Sequence, residues 1–357
     1  MNVKFYHRFL KRSDANSIPH HFLFGAVDLD PYNINVSFCE DSSLGNRILR
    51  GIKIACRIIF SKEPYDLLYA SSPNGIELIV LLKCFGLFRK PIVVWQHRAL
   101  KQPTNSFSKA LLRFYYSGFN KMIMFSDLHV QESLSYGVID KERVTQMQWG
   151  PDTTYYDKII KKAKEPRPEP KSNYFCSTGR ENRDFPTLVS AFSALPESNL
   201  RIYTTRQHGR MQNEKILLQD EKATPNIQVT IVESSPTLNT FLSTEMYNGT
   251  CAVISCLQFN YTVGLTSLTE AMALGKAVIV SDNPYFPIDV AKEGVGIKVD
   301  YKDVQGWINA IKYLTDHPEI AAEMGRKGRQ FIDEKCNTSI MARQLADCFF
   351  EFTGKKG

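Results

Sequence analysis

The sequence predicts an α/β protein made of two doubly wound domains, each built on a parallel sheet. Three observations carry that prediction. At 357 residues the chain is too long for one ordinary hydrophobic core and suits two. Short apolar, β-branched runs alternate with helical stretches along most of it. One stretch, from Cys251 to Asp282, spells out a complete βαβ unit. CAVISCL (Cys251 to Leu257) reads as a buried strand, and a loop containing Gly264 follows. LTEAMAL is a helix closed by Gly275, and AVIVSD (Ala277 to Asp282) is a second buried strand. That order demands a parallel sheet and a right-handed crossover.

Composition narrows the class. A hydrophobic share of 43% with mixed charge fits a soluble globular protein. The eight cysteines form no CxxC pair and several lie in apolar runs, as buried thiols in a reducing compartment would. Lys4, Arg8, Lys11 and Arg12 interrupt any apolar core of a signal peptide. The apolar run near Ile76 to Phe88 is broken by Lys83 and is too short to span a bilayer. A cytoplasmic protein is expected. Residues 1–165 hold 23 Lys and Arg against 15 Asp and Glu, whereas residues 166–357 hold 21 against 22. Only the first half is therefore equipped to meet an anionic surface.

Taken in order, residues 3–6 (VKFY) form a short first strand. The segment DANSIPHHFLFGAVDLDPY reads as loop plus helix, with His20 and His21 either facing a ligand or serving as loop histidines. Asp28-Leu29-Asp30 spells DxD, but no strong strand precedes it and Pro31 follows, so no metal site is expected there. From Arg47 to Phe60, Arg47, Arg50, Lys53 and Arg57 recur at helical steps, and Ile48, Ile52, Ala55 and Ile59 recur on another face. This is a basic amphipathic helix, either packed on its own sheet with a solvated basic edge or docked on an anionic membrane. KCFGLFRK (Lys83 to Lys90) and FSKALLRFYYSGFNK (Phe107 to Lys121) likewise interleave bases with aromatics. No nucleic-acid-binding motif accompanies them.

DLLYA (Asp66 to Ala70), PIVVWQH (Pro91 to His97), KMIMFS (Lys121 to Ser126) and RVTQMQWG (Arg143 to Gly150) are the further strands of the first domain. His97 stands at a strand's carboxyl end, where ligands of such sheets bind. The charged, proline-rich KIIKKAKEPRPEPKSN (Lys158 to Asn173) reads as the link between domains. Domain bounds of 1–160 and 174–337 follow, with 161–173 as linker. NYFCSTGR, LRIYTT, NIQVTIV, CAVISCL, AVIVSD and VGIKV (Val295 to Val299) are the strands of the second domain. VQGWINAIKYLTDH and PEIAAEMGRKGRQFIDEK are helices, and TSIMARQLADCFFEF is a helix that closes the chain.

The Gly264 loop is the chemical centre. Amides of Gly264, Leu265 and Thr266 at a helix start, together with the helix dipole, make a phosphate site, and Glu270 follows one turn later. Ser267 and Glu270 also fit a capping box, S-x-x-E.

Phe259 to Asp282 resembles the donor-binding segment of retaining glycosyltransferases of family 4, the two-domain GT-B type. In that family two glutamates eight positions apart flank a glycine loop. The second binds the ribose hydroxyls of a sugar nucleotide and the first contacts the donor sugar. Glu270 matches the second; Thr262 stands where the first is expected. Family members also carry a glycine-arginine pair at a strand end and a second basic residue soon after, which clamp the donor diphosphate. Arg180 matches the pair, and Arg183 takes the second place at shorter spacing. The resemblance further implies a histidine such as His97 orienting the donor sugar, two Rossmann-like domains facing a cleft, and a final helix (338–357) returning to the first domain. It covers most of residues 90–350.

The expected function is transfer of a sugar from a nucleotide-diphosphate sugar, with retention. No metal or other cofactor is required, because arginines stand in for it. The acceptor would be lipid-linked, as in bacterial surface-polysaccharide or glycolipid assembly, at the inner face of an anionic membrane. No nucleic acid is expected as a partner. A turnover-deficient partner subunit, or another GT-B enzyme such as a sugar-nucleotide epimerase or a phosphorylase, is the alternative.

Overall fold

The structure, a computed structural model, describes residues 1–40, 46–164, 173–218 and 224–354. The chain divides into two compact units, Met1–Trp149 with Thr338–Gly357, and Gly150–Asn337.

The first unit holds a six-stranded parallel sheet: β1 (Asn2–His7), β2 (Asn35–Glu40), β3 (Leu67–Ala70), β4 (Ile92–Gln96), β5 (Lys121–Met124) and β6 (Val144–Gln146). Their order across the sheet is β2-β1-β3-β4-β5-β6. Both faces are covered, as the unbroken apolar runs of β3, β4 and β5 require. Leu68, Ala70, Ile92, Val94, Met122 and Met124 face one core. Alternate residues such as Tyr69 and Trp95 are buried outside that cluster and pair with each other, Trp95 Nε1 donating to Tyr69 Oη at 2.6 Å. Helices α1 (Arg47–Ile59), α2 (Glu77–Cys84) and α3 (Ser106–Tyr116) cover the first face through residues such as Ile54, Ile58, Ile79, Val80 and Tyr116. Helix α4 (Asp127–Ser135) follows β5, capped by Ser126. The segment expected as loop plus helix, residues 14–32, holds no α-helix; 3-10 turns stand at Arg12–Asn16, His20–Leu23 and Asp30–Tyr32, because Pro19, Gly25 and Pro31 interrupt a longer helix.

In the second unit α5 (Thr153–Ala163) opens the chain, followed by β7 (Phe175–Thr178), α6 (Phe185–Ser193), β8 (Leu200–Thr204), α7 (Asn213–Leu218) and β9 (Ile227–Ile231). Then come α8 (Leu238–Asn248), β10 (Cys251–Ile254), α9 (Leu265–Ala273), β11 (Ala277–Ser281) and β12 (Gly296–Val299). The parallel strands lie in the order β12-β11-β10-β7-β8-β9. Helices α10 (Val304–Asp316) and α11 (Pro318–Lys335) complete it, and Trp307, Ile311 and Leu314 of α10 share a core with Phe185, Leu188 and Phe192 of α6. Helix α12 (Thr338–Thr353) belongs to the first unit, where its Phe349 ring meets Tyr69 edge-on at 5.1 Å.

The division falls at Trp149 and Gly150 rather than near residue 160. The start of the expected linker is helical: Asp152 caps α5, and Tyr156, Ile159 and Ala163 are buried at 3- and 4-residue spacing. That apolar stripe begins in the preceding residues, so the linker stretch taken alone shows no period. Residues 165–172 of the same expectation lie outside the described residues. All eight cysteines are free thiols; Cys56 is exposed and Cys84 half-buried, the rest buried.

Candidate nucleotide-sugar site

Two strand ends build the site in the second unit. After β7 the backbone turns at Gly179, φ 128°, where an added Cβ would fall 2.3 Å from Arg183 Nη2. Only glycine suits that conformation and that approach. Arg180 follows with an exposed side chain that makes no hydrogen bond or ion pair among the described residues. Its backbone is nonetheless fixed, because the Arg180 carbonyl accepts from Asn213 Nδ2 at 3.0 Å. Asp184 then caps α6, accepting the Thr187 amide at 3.3 Å and the Thr187 hydroxyl at 2.8 Å.

The second strand end is that of β10. Gly264 sits at φ 92° as the N-cap of α9, with Cys256 Sγ and Ile254 Cγ2 each 2.9 Å from where a Cβ would stand. The two ends are stitched together: the Asp184 amide donates to Ser255 O at 3.1 Å and the Leu257 amide to Asn182 O at 2.9 Å. Tyr261, in the loop, donates to Glu181 Oε1 at 2.6 Å and accepts from Asn182 Nδ2 at 2.5 Å. Asn283, after β11, holds the loop from beneath by donating to the carbonyls of Tyr261 (3.0 Å) and Val263 (3.3 Å).

Arg183 is the hub. It is only 5% exposed, and its guanidinium donates to Ser267 Oγ at 2.9 Å and to Thr178 O at 3.3 and 3.4 Å. Glu181 O and Cys256 Sγ lie at 3.5 and 3.6 Å. Every one of these acceptors is neutral. Arg183 thus packs against both the Gly179 turn and Gly264, whereas Arg180 is exposed.

Two expectations for the loop change, those for Ser267 and for the Leu265 amide. Ser267 lies inside α9, not at its cap, and is buried against Arg183; the capping box therefore does not form. The local pattern fits a cap, but the helix begins three residues earlier, at Leu265 with Gly264 as its cap. The Leu265 amide donates to Thr262 O at 3.1 Å and is not turned to a ligand; Gly264 and Thr266 keep amides that make no backbone hydrogen bond among the described residues. Glu270 faces Tyr156 of α5, whose phenol is held well above its usual pKa by burial and by the neighbouring Glu270 carboxylate. Thr262 is half-buried in the loop.

Tyr156 and Asn213 escape a reading of the sequence because each lies on a helix remote in sequence from its partner. The burial period of α5 is the one signal that would have placed Tyr156 inward.

In the first unit His97 follows β4 and donates from Nε2 to Ser71 O at 2.9 Å, with its ring 5.0 Å from that of Phe125. His7, at the end of β1, accepts the amides of Phe9 (3.1 Å) and Leu10 (2.9 Å) on Nδ1. Burial, reinforced by the nearby His97, lowers its pKa to about 4, while Asp14 opposes the shift. The Phe24 ring, in a left-handed residue at φ 53°, lies 6.0 Å from His7 and 5.7 Å from His97. His21 is fully buried, with its carbonyl accepting from Trp149 Nε1 at 3.1 Å, so it is a packing residue. His20 pairs with Asp28 at 2.8 Å, which engages the first carboxylate of the DxD. Among the described residues no three His, Cys, Asp or Glu side chains are grouped to hold a metal ion.

Solved structures share this fold over the whole chain. Anabaena HepE in complex with UDP and glucose matches at a TM-score of 0.68 and 14% identity, over 97% of this chain and 98% of that one. Sucrose-phosphate synthase from Thermosynechococcus elongatus matches at 0.73 and 14%, over 98% of both chains. An Escherichia coli structure described as trehalose-6-phosphate bound with UDP-2-fluoro glucose matches at 0.71 and 11%, over 100% of both. At these identities the likeness speaks for the fold, which is of the GT-B type. No curated protein matches the chain. The segment that carries both strand ends of the site, residues 158–331, matches the family described as Glycosyl transferases group 1.

Proposed function

We propose that the protein is a retaining glycosyltransferase that moves a hexose from a nucleotide-diphosphate sugar to a lipid-linked acceptor, at the inner face of an anionic membrane in bacterial surface-polysaccharide or glycolipid assembly. One observation carries the reading: two glycine corners, Gly179-Arg180 and Gly264 at the start of α9, are locked together through Arg183 and Ser267, within a segment similar to group 1 glycosyltransferases. Such a pairing suits a diphosphate, which takes backbone amides at a helix start and guanidinium forks alike.

In the reaction the bond between the anomeric carbon and the diphosphate oxygen breaks, and the diphosphate leaves with the electron pair. A bond forms from the acceptor oxygen to the same carbon, and the acceptor proton ends on the departing phosphate. Arg180 meets the leaving charge directly and Arg183 supports it from beneath; the Gly264 and Thr266 amides add their dipoles. With that stabilisation neither a metal nor a protein nucleophile is required. Glu270, steadied by Tyr156, accepts from the ribose hydroxyls. His97 is assigned to orienting the donor sugar near its reacting carbon.

A second reading, a glycosyltransferase-like subunit without turnover, is favoured by Thr262, since a threonine cannot supply the carboxylate that family members place there. One experiment addresses both. UDP-, GDP- and ADP-sugars are tested for thermal stabilisation and then for release of the nucleoside diphosphate; UDP-glucose comes first because UDP is bound in HepE. Stabilisation with release supports the transferase. Stabilisation without release under any acceptor supports the silent subunit, and no stabilisation by any donor refutes both.

A further inference from the structure

We infer that α1, α2 and α3 of the first unit form a single docking face for an anionic lipid bilayer. This deepens the proposed function by naming how a lipid-linked acceptor would be reached, and it rests on that reading only for its purpose.

The face is defined by burial. Ile54, Ala55 and Ile58 are the residues of α1 that pack inward. Of the apolar stripe read from the sequence, Ala55 is buried, whereas Ile48, Ile52 and Ile59 are exposed by 71%, 45% and 44%. On a helical projection the buried and exposed apolar residues form one continuous band, of which only half is covered by the protein. Lys53 and Arg57 border the other half. The same occurs next door: Phe85 and Leu87, following α2, are 68% and 74% exposed, and Phe107 at the start of α3 is 79% exposed. Of 17 large hydrophobic side chains exposed among the described residues, 11 lie between Ile48 and Phe114. The three helices cover the same core and touch in sequence, α1 on α2 and α2 on α3. Phe85 and Phe114 meet edge-on at 5.3 Å across the second junction.

Charge selects the occupant. Residues 47–113 contain 12 Lys and Arg and three acids. Each acid is already engaged: Glu63 with Lys4, Asp66 with the Asn2 amide, and Glu77 with Arg47. A second copy of this chain docked face to face would set these bases against themselves. A bilayer with anionic headgroups accepts the bases at its surface and the aromatic and aliphatic tips just below it, as amphipathic helices lying in the interface do. No helix among the described residues is long and apolar enough to cross a membrane, so the contact is of this surface kind.

The test uses the full chain and vesicles of phosphatidylcholine with or without phosphatidylglycerol, in a flotation assay with neither donor nor acceptor present. The protein should float with the anionic vesicles at about 0.1 M salt and lose them towards about 1 M, as the Debye length falls from about 10 to about 3 Å. Combining Lys53→Glu, Arg89→Glu and Lys109→Glu, one exposed base from the region of each helix, should weaken the partition about a hundredfold, at about fivefold per base near such a surface. Combining Phe60→Ser, Leu87→Ser and Phe107→Ser should abolish flotation while the melting temperature holds, because all three side chains are solvent-exposed. Wild type that stays with the soluble fraction at low salt overturns the inference, and so does a serine variant that still floats. A serine variant that changes oligomeric state in light scattering, with no vesicle binding by wild type, assigns the face to a second copy instead. Donor binding reports separately on the transferase reading, so either can fail alone.

Discussion

Replacing Arg183 with alanine should unfold the second unit more readily, and the structure sets the size of the effect. The short contact to Ser267 Oγ, 2.9 Å, is a hydrogen bond to a charged group and contributes about 1.5–3 kcal/mol. The four longer contacts, from 3.3 to 3.6 Å, are weak. Truncation also leaves a void beneath Gly179, and large-to-alanine changes in cores cost about 2–5 kcal/mol. Against both stands relief from holding a guanidinium out of water with no carboxylate partner among the described residues, an effective several kcal/mol. The net should be a loss of about 3 kcal/mol, which for a unit of this size lowers melting by about 6–12 °C. Calorimetry on wild type, Arg183→Ala and Arg183→Met reads it directly. Methionine fills the void without the charge, so melting should largely recover while affinity for a nucleoside diphosphate does not. If Arg183→Ala melts with wild type yet loses the nucleotide, the guanidinium reaches the ligand directly and its role as a buried hub is refuted.

Arg180→Ala should behave oppositely. Its exposed side chain supports nothing in the fold, so stability should hold within about 0.5 kcal/mol. Turnover should fall by about 2–4 kcal/mol of transition-state stabilisation, and near-normal rates with every donor would remove the phosphate role. Glu270→Gln should weaken nucleoside-diphosphate binding in calorimetry with α9 intact, and Tyr156→Phe should produce a smaller loss in the same direction; unchanged affinity in both excludes the ribose contact. His7 makes stability depend on pH. Its folded pKa, about 4, lies below the ordinary 6.5, so the unfolded chain binds the extra proton first. Stability is complete above pH 6.5 and declines as pH falls towards 4, by up to about 3 kcal/mol. His7→Asn, whose side-chain oxygen can accept the same turn amides, should flatten that part of the profile.

The sheets were legible because their signal is local and strong. Runs such as IVVW and AVIV are apolar without a break, which only strands covered on both faces require. The glycines at 179 and 264 were equally legible, since their positions after strands announce turns. Less visible was what lies under those turns. Arg183 looks like a surface base in the sequence, and its burial is decided by a partner 84 residues away. Ser267 fits a cap by spacing, but helix starts are set by backbone geometry that spacing does not fix. The face of α1 stayed open between two readings for a related reason. Its apolar residues form a band wider than one contact face, and only the packing shows which half the protein covers.

Helix α12 gives the chain an unusual order of assembly. Its Leu345 and Met341 side chains lie against Gly25, and Phe349 stands on Tyr69, so the first unit lacks part of its core until residues 338–353 exist. During synthesis these residues emerge about 190 positions after Trp149, a delay of roughly 10–40 s at typical ribosomal rates. The second unit is complete in sequence before the first. A nascent first unit therefore waits with an open apolar seat, exposed to chaperones and proteases, and is sealed only by a segment made after the whole of the second unit.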